Sequence, residues 1–323
     1  MIARSIILLL TAMILSGCRS TLPVEGMPPV GTYRVPTTTS YNLIRRSFLL
    51  YLPTGYDSGK PLPLVLVLHG AFSSAGQTEE ETGFSRLAEQ EKFIVAYPEG
   101  VGLFGLFQHW NAGHCCGPAV ADGVDDVAFL DEVVTAVRQR FAVDANRIYL
   151  AGMSNGGMLA YRYGSLRAGG LAGIAVVSGA AGSSAAGGEP SLDLALPGTP
   201  VAVIGLHGLA DESIPVAGSN GTGGGRSYLP VAAAVDFWGR ANGCVQPLRR
   251  PAPGIAATEL LSFGECRSGR AVEFYLLPEW GHRWPAPYFT GQLPAGHPLR
   301  NFDATAEIWR FFRRSDSPAG AGK

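Results

Sequence analysis

The chain has 323 residues, of which 46% are hydrophobic and 16% charged, enough to bury a large core within one α/β domain. Its formal net charge is −1, and no run of Lys or Arg forms a phosphate-binding patch. Nucleic acid is therefore not an expected partner, and there is no general attraction to anionic lipid.

The first segment reads as an address. Arg4 precedes an apolar run from Ile6 to Leu15 that is too short for a stable membrane-spanning helix. Leu15-Ser16-Gly17-Cys18 resembles the bacterial lipobox, which implies a signal peptide over residues 1–17, lipid on Cys18 and a polar tether over 18–36. An ordinary secretory signal with an incidental cysteine is the alternative. Arg19, and not Asp, follows the cysteine, which by resemblance to enterobacterial sorting favours anchoring at the outer membrane, facing the periplasm or the exterior. One folded domain is expected over 37–316, with 317–323 as a disordered tail.

Four further cysteines, Cys115, Cys116, Cys244 and Cys266, would meet an oxidising compartment and allow three pairings. Cys244 with Cys266 is the favoured disulfide because they flank a loop-rich stretch. Cys115 and Cys116 are left as a vicinal bridge or as thiols. A metal site of His109, His114 and this cysteine pair is disfavoured, since adjacent cysteines seldom reach one tetrahedral ion together.

In chain order, Tyr41 to Leu52 alternates roughly and reads as an antiparallel edge hairpin or long strand. Leu62 to Leu68 is apolar on both faces, as a central parallel strand is, and ends in His69-Gly70-Ala71-Phe72-Ser73. A buried strand followed by His-Gly and a small-residue loop supplies one backbone donor of an oxyanion hole in α/β hydrolases. The Ala71 N–H is the first choice, Phe72 the second, and the Asn155 N–H the other donor. His69 is read as bracing this loop. A helix around Phe84 to Glu91 and a strand from Phe93 to Tyr97 follow.

Val101 to Gly123 is too long for a simple connection and reads as a functional loop; Trp110 is a candidate for lining the substrate cleft, with a buried anchor as its alternative. Asp125 and Asp126 open a helix to about Phe141, as N-cap and first-turn charge. Then comes Arg147 to Met158, RIYLAGMSNGGM. A β-rich run, Gly152-x-Ser154-x-Gly156 and a helical stretch make the strand, sharp turn and helix of a nucleophile elbow, with Ser154 as nucleophile. Both glycines are required because the turn leaves no room for a Cβ.

Further strands are expected over Leu171 to Val177, Thr199 to Leu206, Thr258 to Ser262 and Ala271 to Leu277, with helices over Tyr228 to Asn242 and Asn301 to Arg314. Asp211 lies just past a strand's C-terminal end, the edge where open α/β sheets assemble their sites, and Glu212 is its competitor. His282 alone among the histidines lies beyond both Ser154 and Asp211 and directly after a strand, with Gly281 read as the turn that aims it. Ser154, Asp211 and His282 occur in α/β-hydrolase order, and the implied fold class is α/β, a mostly parallel central sheet with helices on both faces. No cofactor or metal is required by this chemistry.

PLPLVLVLHG, CCGPAVADGVDDVAFL, RIYLAGMSNGGM, HGLADESIP and EWGHRWP together resemble the polyhydroxybutyrate depolymerase and feruloyl esterase group of secreted carboxylesterases. The resemblance runs from about Tyr41 to Phe312 and implies a serine esterase with Ser154, Asp211 and His282 as triad. Trp280-Gly281-His282-Arg283-Trp284-Pro285 stands where the family more often has Gly-Gly-His-Thr-Trp-Pro. Phe72, Trp110 and Trp284 are the candidate substrate-binding residues. Polyester-degrading relatives append a surface-binding domain, which turns the expectation toward soluble feruloyl or similar aromatic-acid esters, with depolymerase activity as the alternative. A serine peptidase and a non-catalytic ligand-binding lipoprotein are the other classes; the first would cleave aminoacyl amides, and the second would lack a triad member.

Overall fold

Apolar runs on both faces of several strands need cover from both sides, and the chain provides it. The computed structural model describes residues 31–185, 188–221, 225–245, 247–263 and 265–315. The expected signal peptide, Cys18 and the tail 317–323 lie outside the described residues.

Ten strands form one sheet: β1 (Gly31–Tyr41), β2 (Ile44–Leu52), β3 (Leu62–Leu68), β4 (Ile94–Pro98), β5 (Val143–Met153), β6 (Gly173–Val177), β7 (Ala202–Gly208), β8 (Pro247–Pro251), β9 (Glu259–Phe263) and β10 (Val272–Leu277). Their order is β1-β2-β4-β3-β5-β6-β7-β10-β9-β8. The middle strands, from β4 through β10 in that order, pair in parallel, and an antiparallel pair flanks them on each side. The C-terminal ends of β3, β5, β7 and β10 therefore share one edge.

Helices α1 (Ala75–Thr82), α2 (Phe84–Glu91), α3 (Asp126–Arg140), α4 (Asn155–Leu166), α5 (Val231–Ala241) and α6 (Ala304–Ser315) cover the faces. Phe129, Leu130, Leu159 and Trp238, from α3, α4 and α5, join the core on one face. Phe84, Ala88, Ile308, Phe311 and Phe312, from α2 and α6, join the core on the other. This is the mostly parallel α/β sheet that the apolar strands imply.

Some boundaries differ from the sequence reading. Residues 31–36, expected in the tether, are strand and pair with β2 from Gly31↔Leu52 to Pro36↔Ser47. The chain reverses at Asn42 and Leu43, both at positive φ. β7 starts at Ala202, because the side chain of Asn242 takes up both the N–H and the carbonyl of Val201. The loop after β4 is largely folded: Val101–Leu103 pairs with Leu106–His109, and Gly117–Ala121 is a short helix.

Candidate active site

β5 carries the chain straight into a turn at Ser154, whose φ of 53° and ψ of −120° lie outside the helical and extended regions before α4 begins at Asn155. Such a conformation costs about 1–3 kcal/mol and persists only where its surroundings impose it. They do so through close backbone approach. A Cβ at Gly152 would sit 2.4 Å from the Gly156 carbonyl oxygen, and one at Gly156 would sit 2.4 Å from the His69 carbonyl oxygen. The elbow therefore depends on both glycines, as the motif implies.

The end of β5 meets the loops after β7 and β10. His282 Nε2 is 2.9 Å from Ser154 Oγ, and its Nδ1 is 2.8 Å from Asp211 Oδ2. The Ser154 hydroxyl can donate to Nε2 while Nδ1–H donates to the carboxylate. Asp211 is buried, and its Oδ1 accepts from the N–H groups of Ser213 (3.0 Å) and Ile214 (2.9 Å). Burial alone would raise the Asp211 pKa; hydrogen bonds from His207, His282 and the Ile214 N–H outweigh it and hold the carboxyl well below the usual carboxylate range. Glu212, the competitor, is exposed. The turn before His282 does not depend on Gly281, since a Cβ there would find only the Ala210 carbonyl oxygen, at 3.7 Å; the positive φ, 53°, belongs to Glu279.

Ala71 lines the cleft beside Ser154, and its N–H has no acceptor among the described residues. The Phe72 N–H is taken by the Gln108 carbonyl, 2.8 Å away, which leaves Ala71 as the loop's available donor. Asn155 follows Ser154 as the first residue of α4, where a helix leaves its N–H groups without a partner four residues back. Its side chain does a job that the sequence did not suggest: Oδ1 accepts from the Trp110 N–H (2.7 Å) and Nδ2 donates to the Trp110 carbonyl (3.0 Å). His69 is buried and accepts the Gly100 N–H at Nε2, 2.9 Å. Burial lowers its pKa to about 4, so it is a neutral brace at ordinary pH.

Trp110 is not part of the cleft. It is fully buried, its indole N–H donates to the His69 carbonyl at 2.9 Å, and Phe129 stacks beside it. Its burial fixes the loop after β3 from behind. Asp125 caps α3 through the Ala128 N–H, and the buried Asp126 pairs with Arg46 at 2.7 Å and accepts the Asn111 N–H; both carboxylates brace rather than face the cleft.

The cleft over Ser154 has a volume of about 330 Å³ and is walled by Ala71, Phe72, Gln77, Met153, His282, Trp284 and Phe289 among others. Phe72 is 67% exposed and stands edge-on to His109. Trp284 contributes to the wall but is buried, with its indole N–H on Thr305 Oγ1 at 3.0 Å. Arg283 lies over the Phe289 ring, 4.7 Å from its centre. Neither Phe289 nor Gln77 was picked out from sequence, because nothing local distinguishes them from ordinary helix and loop residues. Cys244 is joined to Cys266, as expected, and Cys115 to Cys116. Among the described residues no group of three His, Cys, Asp or Glu side chains could hold a metal ion.

Residues 46–206 match the family model described as Esterase PHB depolymerase. Feruloyl esterase C of Emericella nidulans is 29% identical over 248 residues, 76% of this chain and 80% of that protein. An acetyl xylan esterase from Aspergillus awamori superposes with a TM-score of 0.59 at 14% identity, covering 88% of this chain and 99% of that one. A ferulic acid esterase from Anaeromyces mucronatus gives 0.50 at 14% identity, covering 92% and 94%. The two structures carry the α/β-hydrolase fold, and the family model with the sequence relatives carries the rest: the chain belongs to the polyhydroxybutyrate depolymerase and feruloyl esterase family of carboxylic ester hydrolases.

Proposed function

We propose that the protein hydrolyses feruloyl or similar aromatic-acid esters by acyl transfer through Ser154. The observation that carries this reading is the chain of contacts Ser154 Oγ, His282 and Asp211, at 2.9 and 2.8 Å, on the floor of a cleft with aromatic walls. His282 takes the Ser154 proton as Oγ attacks the ester carbonyl, and the buried Asp211 carboxylate keeps the imidazole in the Nδ1–H tautomer and offsets its charge. The N–H groups of Ala71 and Asn155 receive the tetrahedral oxyanion, each worth about 3–4 kcal/mol in comparable sites. His282 then protonates the leaving alcohol, and water, deprotonated by the same imidazole, releases the acid and restores Ser154.

Phe72 and Phe289 offer flat apolar surface to the acyl ring, while Gln77, Glu81 and Arg283 can meet the hydroxyls of a sugar alcohol. The feruloyl esterase relatives support the aromatic acid. The leader and Leu15-Ser16-Gly17-Cys18 support export with lipid on Cys18, so that the domain works held at the bacterial envelope. Rates on methyl ferulate, a short-chain nitrophenyl ester and a hydroxybutyrate oligomer test the reading. The highest kcat/KM is expected on methyl ferulate; a higher value on the oligomer would reassign the enzyme as a depolymerase.

A further inference from the structure

Asp211 holds His282 through Oδ2, and a second imidazole reaches the same oxygen from below. His207 lies near the C-terminal end of β7 and is buried. Its Nε2 is 2.7 Å from the Ile214 carbonyl oxygen and 3.4 Å from Asp211 Oδ2. A carbonyl oxygen can only accept, so Nε2 must carry a hydrogen; that N–H is spent on the Ile214 carbonyl, and it also lies close enough to the carboxylate, at 3.4 Å, to weigh on its charge. Ile214 closes the figure by donating its own N–H to Asp211 Oδ1. One side chain on the rigid sheet thus touches both ends of the turn 211–214, the Ile214 carbonyl and the carboxylate at its start.

We propose that His207 is a positioning residue for the hydrolysis described above, acting through Asp211, and the proposal rests on that reading of the triad. Its hydrogen bond to Ile214 anchors the turn; its N–H, 3.4 Å from Oδ2, offsets a share of the charge that otherwise falls wholly on His282. Asp211 is faced by His207 from β7, by His282 from the loop after β10, and by Tyr228 from the short strand Ser227–Tyr228. Burial, chiefly, and the nearby Asp211 charge raise the Tyr228 pKa against the opposing effect of Arg226, so Tyr228 stays neutral. The Oδ2 charge is therefore shared between the two imidazoles. Without His207 the carboxylate gains freedom to rotate, which lowers the rate. Oδ2 also pulls harder on the His282 proton, and the carboxyl itself takes up a proton more readily. Both changes move proton uptake by the pair to higher pH.

The test compares wild type, His207→Phe and His207→Gln in the full chain on a soluble ester, with rates expressed per active site titrated by a phosphonate, so that unfolded protein drops out. Gln carries an amide N–H close to where the Nε2–H stands. For His207→Phe, kcat should fall about ten- to a hundredfold, the range for losing a hydrogen bond to a charged group. KM should stay within about twofold, and the acid limb of kcat/KM should rise by roughly half a pH unit or more. His207→Gln should recover most of the rate and the wild-type limb. Wild-type kcat in His207→Phe would overturn the proposal, and so would equal losses in both variants with an unmoved limb. A wild type with no titratable serine would instead overturn the reading beneath it.

Discussion

Phe72 and Trp110 both belong to the shell around the loop after β3, and they differ in where their surface lies. Phe72 is 67% exposed at the cleft, whereas Trp110 is 0% exposed, with its N–H committed to the His69 carbonyl. Phe72→Ala should raise KM for an aromatic ester several-fold while changing stability by no more than about 0.5 kcal/mol. Trp110→Ala should cost about 3–5 kcal/mol of stability, as other buried Trp or Phe truncations do. Denaturation curves and kinetics on the two variants separate the roles; a raised KM in a fully stable Trp110→Ala would return Trp110 to the cleft. The sequence left both roles open for Trp110, because a loop tryptophan looks the same whether it points in or out. His207 shows the same limit: an HG at the end of a strand is a turn signal, and only the folded turn 211–214 brings its ring onto the carboxylate.

At the level of elements, the chain was legible where burial writes a pattern. β3, β4 and β6 are apolar runs buried on both faces, β10 is one but for Glu273, and α6 buries Ile308, Phe311 and Phe312 at helical spacing. α1 buries only Ala75, Thr78 and Thr82, and β8 buries nothing, so neither carries an apolar period to read. The start of β1 did carry one: Tyr33, Val35 and Thr37 alternate inward. Pro36 does not interrupt it, since a proline is tolerated on an edge strand, where no neighbour needs its N–H. The disulfide Cys244–Cys266 closes a 22-residue separation that spans the antiparallel pair β8 and β9. Closing such a loop should stabilise the fold by about 3 kcal/mol. Replacing both cysteines by serine should lower the denaturant midpoint accordingly and leave kcat on a soluble ester unchanged at low temperature. A changed kcat would mean that this edge of the sheet reaches the site.

For the molecule as a whole, the parallel strand order turns three distant segments into one site. β5, β6, β7 and β10 are successive neighbours, so Asp211 and His282 arrive from adjacent strands and Ser154 from two strands away. The order Ser, Asp, His was readable because each residue follows a recognisable strand. The contributions of Phe289, Gln77 and the Asn155 side chain were not, since they depend on how the loops fold back over that edge. Every step proposed for the hydrolysis requires Ser154 to form the acyl-enzyme. Treating the protein with a phosphonate ester and following intact mass, peptide mass and hydrolysis together tests it directly. One adduct per chain, on the peptide holding Ser154, with activity lost in step and Ser154→Ala both unlabelled and inactive, is the predicted result. Labelling at another residue with loss of activity, or hydrolysis that survives Ser154→Ala, would contradict it.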